Sequence, residues 1–138
     1  MHTSTAGFEE VEHTADWALR VWAPTLPELF EQAARGMYAL AGLKGKGAPR
    51  YSRTLELEGE DAETLLVHFL SELLYLAYVE GLVFDTFRLT FRDHHLTAQL
   101  EGSPVASYGK EIKAVTYHDL AIRKRPDGLL ETMIIFDV

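Results

Sequence analysis

Cysteine is absent from this chain. Its absence excludes disulfides, thiolate zinc sites and a cysteine nucleophile, and it suits a reducing cytoplasm, the expected location. No apolar stretch approaches the roughly 18 residues that span a bilayer, so no membrane partner is expected. Met1-His2-Thr3-Ser4-Thr5 lacks the basic-then-apolar order of a signal peptide. Cations are scarce, with 13 Lys and Arg against 21 Asp and Glu and a net charge of −8. Phosphate neutralisation needs a dense cationic face, so a primary nucleic-acid binder is not expected. Acidity instead suits solubility, cation binding or docking to a basic partner. Lys44, Lys46, Arg50 and Arg53 cluster locally in a glycine-containing stretch, which reads as a solvated loop. Walker and dinucleotide glycine loops are missing, as are the serine elbow and zinc-protease motifs. Ser71, Ser103 and Ser107 have no activating neighbours. The chain is therefore not expected to be an enzyme.

What is present describes one α+β domain. At 138 residues and 47% hydrophobic, the chain is long enough to bury a core of its own. Residues 1–6 read as a flexible tail and 7–138 as the domain. Phe8 to His13 and Trp17 to Ala23 alternate as strands. Thr25-Leu26-Pro27-Glu28 is a capping box, and Gly42 closes the helix it opens. Thr54 to Glu58 is a short strand, and Asp61 caps a second helix from Ala62 to Glu80, ended by Gly81. Leu65, Leu66, Phe69, Leu70, Leu73, Leu74 and Ala77 give that helix the broader apolar face. The two strand–helix pairs repeat at an offset of about 36 residues, a hint of a duplicated unit.

The second half is strand-rich. Val83 to Phe91 and Leu96 to Leu100 flank a turn at Arg92-Asp93-His94-His95, whose histidines read as exposed and inert. Gly102-Ser103-Pro104 reads as a break. Ile112 to Lys124 is the longest strand expected. Arg125-Pro126-Asp127-Gly128 is a hairpin signal returning Leu130 to Phe136 antiparallel. Two amphipathic helices on a mostly antiparallel or mixed β-sheet is the predicted fold class.

The chemistry concentrates at two places. Glu12-His13-Thr14-Ala15-Asp16 is a polar knot between apolar strand residues, and Ile134-Ile135-Phe136 leads into Asp137. These ends are expected to meet in one acidic, cation-binding site. Two carboxylates about 4 Å apart repel by on the order of 4 kcal/mol at an effective dielectric of 20. Bringing them together calls for a cation, a Lys or Arg, or a proton. All-oxygen donors suit Ca²⁺, Mg²⁺ or Mn²⁺ rather than Zn²⁺. Alternatively, Asp16 closes a turn with its side chain and Asp137 is simply solvated. His13 is a ligand or proton carrier, or bonds a backbone carbonyl. Alternation over Ile112 to His118 places Lys113, Val115 and Tyr117 on one face. Lys113 and Tyr117 there present a cation and a phenol together, or make ordinary cross-strand pairs.

Three stretches in order resemble the archease family: Phe8-Glu9-Glu10-Val11-Glu12-His13-Thr14-Ala15-Asp16, Ile112-Lys113-Ala114-Val115-Thr116-Tyr117-His118 and Phe136-Asp137-Val138. The resemblance covers the chain from about residue 7 onward. It implies an accessory protein of an RtcB-type tRNA-splicing and RNA-repair ligase, promoting guanylylation of that ligase and its multiple turnover. It also implies a divalent metal ion, calcium above all, held by Asp16, Asp137 and Val138 (the last through a main-chain or terminal oxygen). Lys113 resembles the family's functional lysine, and His13 lies within the signature. Glu12 stands where relatives often carry Asp, so no ligand role is carried over to it. The alternative is a chaperone-like modulator of another RNA-processing enzyme, such as a tRNA methyltransferase. Direct RNA contact and oligomeric state are left open.

Overall fold

The computed structural model describes residues 5–11 and 17–138. Glu12, His13 and Asp16 lie outside the described residues, as do most of the expected N-terminal tail residues. In chain order the elements are β1 (Gly7–Val11), β2 (Trp17–Ala23), α1 (Leu26–Ala41), β3 (Lys44–Gly45), β4 (Tyr51–Glu58), α2 (Ala62–Val79) and β5 (Leu82–Arg92). β6 (His95–Ser107), β7 (Ala114–Val115), β8 (Arg123–Lys124) and β9 (Leu130–Asp137) complete it.

The helices start where the side chains say they should. Thr25 is the N-cap of α1; its hydroxyl accepts from the Glu28 amide at 3.4 Å and donates to the Glu28 carboxylate at 2.8 Å. Glu28 thus closes the box on the Thr25 hydroxyl. Gly42 ends the helix in the left-handed conformation, φ 67°, a backbone state that costs glycine least. The Asp61 side chain accepts the Thr64 amide at 2.8 Å and caps α2.

Among the described residues every strand pair is antiparallel, and the strands form two sheets where one was expected. In the first, β2 lies between β1 and β9, and β7 and β8 both pair with β9. In the second, β6 is central, flanked by β5 on one side and by β4 and β3 on the other. α1 packs on β1 and β2 and reaches β5, while α2 packs on β4 and β5 and reaches β7. The helix pair therefore ties the two sheets into one core. Leu19 and Val21 of β2, Phe30 and Met37 of α1, and Leu66, Phe69, Leu70 and Leu73 of α2 are buried in it. Phe30 meets Phe91 edge-on at 4.9 Å and Phe69 at 5.7 Å, packing geometries that aromatic rings favour.

The helix α2 is 18 residues long with a mean hydropathy of 1.3, so by length and composition it qualifies as a membrane-crossing helix. That corrects the expectation that no stretch approaches this length. Half of it is buried inside the protein, against β4 and β5, so its apolarity serves the core here.

Other expectations are corrected by contacts distant in sequence. Ile112 to Lys124 is not one strand: only Ala114–Val115 and Arg123–Lys124 pair with β9. The first of these pairings ends at Thr116. Its amide and hydroxyl both donate to Ile135 O, at 3.0 and 2.9 Å, and its oxygen accepts the His118 amide at 3.3 Å. A turn follows, with Asp119 at φ 52°. Gly102-Ser103-Pro104 is not a break but the interior of the long strand β6. A Cβ on Gly102 would lie 1.9 Å from Val83 O, so the glycine permits a close approach of the two strands beside the β5 bulge. The basic loop also contains β3, and β4 starts three residues earlier than expected.

Candidate functional site

The last turn signal and the C-terminal apolar run together create the candidate site. Gly128 N donates to Arg125 O at 2.9 Å, closing the turn that sends β9 back between β2 and the β7–β8 edge. Phe136, fully buried, sits in register with Trp17 on one side and Val115 on the other. Asp137 follows at the exposed end of β9, paired with Ala114, and Val138 is half-buried. One residue before Trp17 in sequence is Asp16, the other expected carboxylate.

Lys113 is held at this end by its neighbours. Ile112 and Val115 are buried and act as anchors, leaving Lys113 exposed between them. Its amide donates to Asp137 O at 2.7 Å, and the Ile112 amide donates to the Tyr78 hydroxyl of α2 at 3.1 Å. Upstream, Gly109 N donates to Ala41 O at 3.0 Å, and its Cα packs on Gly42 so closely that an added Cβ would meet Ala41 O at 2.5 Å. Lys110 lies between these fixed points, its Nζ 5.1 Å from the Trp17 ring centroid. Burial raises the pKa of the Tyr78 hydroxyl, so the phenol that receives the Ile112 amide stays neutral.

Lys113 and Asp137 are thus brought together. Asp16 and His13 lie outside the described residues, and so does Glu12. Among the described residues, no three His, Asp or Glu form a group able to hold a metal ion. The described part of the proposed donor set is one exposed carboxylate and main-chain oxygen, of which Asp137 O already accepts an amide. Oxygen donors of this kind suit a hard divalent ion, but one carboxylate alone does not make a site. Tyr117 is exposed, yet the strand ends at Val115, so no shared strand face joins it to Lys113.

The other candidates resolve as structural. Arg50 grips the Asp85 carboxylate at 2.9 and 2.6 Å and reaches Glu101 at 3.4 Å; Arg53 pairs with Glu80 at 3.2 Å. His95 is not inert: it starts β6 and its ring bonds the Glu56 carboxylate, which also accepts the Thr97 hydroxyl at 2.9 Å. That bond raises the pKa of His95 and lowers that of Glu56. What the sequence reading missed is an aromatic face beside Lys113. Tyr78 and Tyr108 stack at 6.3 Å, and Tyr75, Val79 and Tyr108 are each more than half exposed. The only sequence signal was that Tyr75, Tyr78 and Val79 fall off the core face of α2.

Comparison with known proteins agrees with this fold. Residues 8–138 match the archease protein family. The archease of Thermococcus gammatolerans is 43% identical, over 88% of this chain and 91% of its own length. That of Pyrococcus furiosus is 36% identical, over 95% and 98%. Among solved structures, a Methanobacterium thermoautotrophicum protein superposes with a TM-score of 0.67 at 25% identity, covering 96% of this chain and 99% of its own. A Thermotoga maritima archease, described as a possible chaperone, gives a TM-score of 0.69 at 24% identity, over 94% and 96%. With the family matched over nearly its whole length and the fold shared, the chain belongs to the archease protein family.

Proposed function

We propose that this protein is a non-catalytic activator of an RtcB-type RNA ligase, promoting its guanylylation and multiple turnover through an acidic edge that binds a divalent metal ion. The observation that carries the reading is the pairing of the Lys113 segment with the end of β9, Lys113 N to Asp137 O at 2.7 Å, beside the start of β2. In this reading Asp16, Asp137 and a main-chain oxygen of Val138 hold the ion, with Ca²⁺ the first choice and Mg²⁺ or Mn²⁺ alternatives. The cation offsets the repulsion between the carboxylates. Lys113 and His13 face the partner. A charged edge of this kind acts by completing another protein's site.

The test adds the purified protein to a cognate ligase with GTP and Mn²⁺, and follows both the ligase–GMP adduct and RNA joined beyond one turnover. Stimulation by the native protein and none by Asp16→Ala supports the reading. Stimulation by both keeps the partner and discards the acidic site. The description of the Thermotoga relative as a possible chaperone favours a second reading, a chaperone-like modulator of another RNA-processing enzyme such as a tRNA methyltransferase. Suppressed aggregation of that enzyme, without any effect on the ligase, selects it.

A further inference from the structure

We infer that the cleft between α2 and residues 111–115 is where the partner protein docks, seating one apolar side chain with a carboxylate beside it. The partner's identity rests on the activator reading above; the docking face stands on its own geometry. Five large apolar side chains are exposed among the described residues; of these Tyr75 lines this cleft, Val79 lies one helical turn further along α2, and Tyr108 stacks on Tyr78, which also lines it. Such clustering is what distinguishes an interaction patch from scattered surface residues. The cleft measures about 320 Å³. Its floor is apolar, formed by buried Leu74, Ile112 and Val115, and its walls carry Tyr75, Tyr78 and Lys113. That is near the lower end of ligand-pocket sizes and matches one anchoring side chain.

Charge decides the kind of occupant. Glu111 lines the same cleft and Asp137 lies one register step away, so a polyanion such as RNA meets like charge there, on a chain that is already −8 overall. Tyrosines framing a small apolar pocket are the composition of protein-binding hot spots. Lys110 and Lys113 make no ion pair with a carboxylate among the described residues; Lys110 rests on the Trp17 ring instead. None of the five lysines makes an ion pair among the described residues, but Lys113 is the one that lines this cleft, so it is placed to take a carboxylate from the partner.

The experiment titrates the full-length ligase with the full chain and reads binding by calorimetry and ligase–GMP formation in parallel. Tyr75→Ala and Val79→Glu alter exposed side chains, and their melting curves check the fold. Each is expected to weaken binding roughly tenfold and to shift the half-saturating concentration equally, with maximal stimulation retained. Lys110→Glu is expected to weaken binding by an amount that shrinks at high salt, whereas tighter binding by this variant overturns the carboxylate assignment. Arg88→Glu, exposed on β5, is expected to change nothing. Native-strength binding by Tyr75→Ala and Val79→Glu overturns the docking face and leaves the activator reading standing. Weakened binding by those variants, with no stimulation by the native chain, keeps the docking face and removes the activator reading. Failure of the native chain to bind the ligase overturns both. Binding of single-stranded RNA to the chain alone, lost in Tyr75→Ala, replaces a protein occupant with a nucleic acid.

Discussion

Two basic stretches of this chain look alike in sequence, Lys44 to Arg53 and Lys110 to Lys113, and each is rich in glycine or flanked by it. The fold uses the arginines of the first and the lysines of the second in opposite ways. In the first, the arginines are consumed: Arg50 is clamped to Asp85 and Glu101, and Arg53 to Glu80. In the second, the backbone is pinned at Gly109, Ile112 and Lys113 while the lysine side chains are left to solvent and an aromatic ring. A charge that the fold neutralises serves to hold strands and loops in place. A charge left unpaired, as Lys44 and Lys46 also are, is available to something outside the molecule, and at Lys113 it stands at the end of β9. Local density of Lys and Arg therefore says little; where each charge finds its counter-charge says more.

The largest expected effect comes from breaking the second region. Asp137→Ala and Lys113→Ala should each reduce stimulation of the ligase to the ligase's own basal rate, with melting temperature close to native because both residues are exposed. Arg50→Ala should leave stimulation intact. Equal loss in all three would erase the distinction between the regions. Next in size is the response to metal. A ligand bound only by the folded state stabilises it by about 2.7 kcal/mol at a hundred times its dissociation constant. Thermal melts in Ca²⁺, Mg²⁺ or Mn²⁺ should therefore rise, and the rise should vanish in Asp137→Asn. A flat melt in the native protein removes the ion from the reading but leaves Lys113 in it. Third, Gly109→Ala puts a Cβ against Ala41 O. Overpacking of this kind typically costs about 1–3 kcal/mol. Chemical denaturation should show that loss, and stimulation should fall because Lys110 and Lys113 lose their anchor.

Both helices, β2 and β9 were legible because capping residues and apolar periodicity are local signals: Thr25, Asp61 and Gly42 fix the ends whatever the rest of the chain does. The antiparallel return of the C-terminal run was legible for the same reason, through the Arg125 to Gly128 turn, and the contact of Lys113 with Asp137 is what that return produces. What failed was decided at a distance. The strand ends after Val115, where the Thr116 amide and hydroxyl share Ile135 O and the chain turns at Asp119, and no periodicity announces that choice. Gly102 looked like a breaker, although its missing side chain is what lets β5 approach β6 so closely at the bulge. The aromatic face depends on Tyr108 reaching back to Ala77 and Tyr78, some thirty residues earlier, so neither half of it is a motif alone. As for the site, the polar knot and the C-terminal aspartate were picked out from the residues and the ligand set came from the family resemblance, while the described residues contain only the Asp137 end.

The smallest effect sharpens the structural role of the first region through pH. The hydrogen bond from Arg50, more than its charge, holds the Asp85 carboxyl below its usual range. A carboxylate with a lowered folded-state pKa stabilises the fold above its unfolded value, near 3.9, and loses that contribution as pH falls through the folded value. Because Asp85 and Arg50 are largely solvated, screening keeps the contribution modest. Melting curves of the native protein and Arg50→Ala should thus differ slightly at neutral pH and converge as the pH drops below about 4. The difference should also shrink in high salt. A gap that persists in acid would mean that Arg50 acts through its aliphatic stem rather than its charge. The ion pair would then no longer account for the quiet first region, and the contrast with Lys113 would rest on backbone anchoring alone.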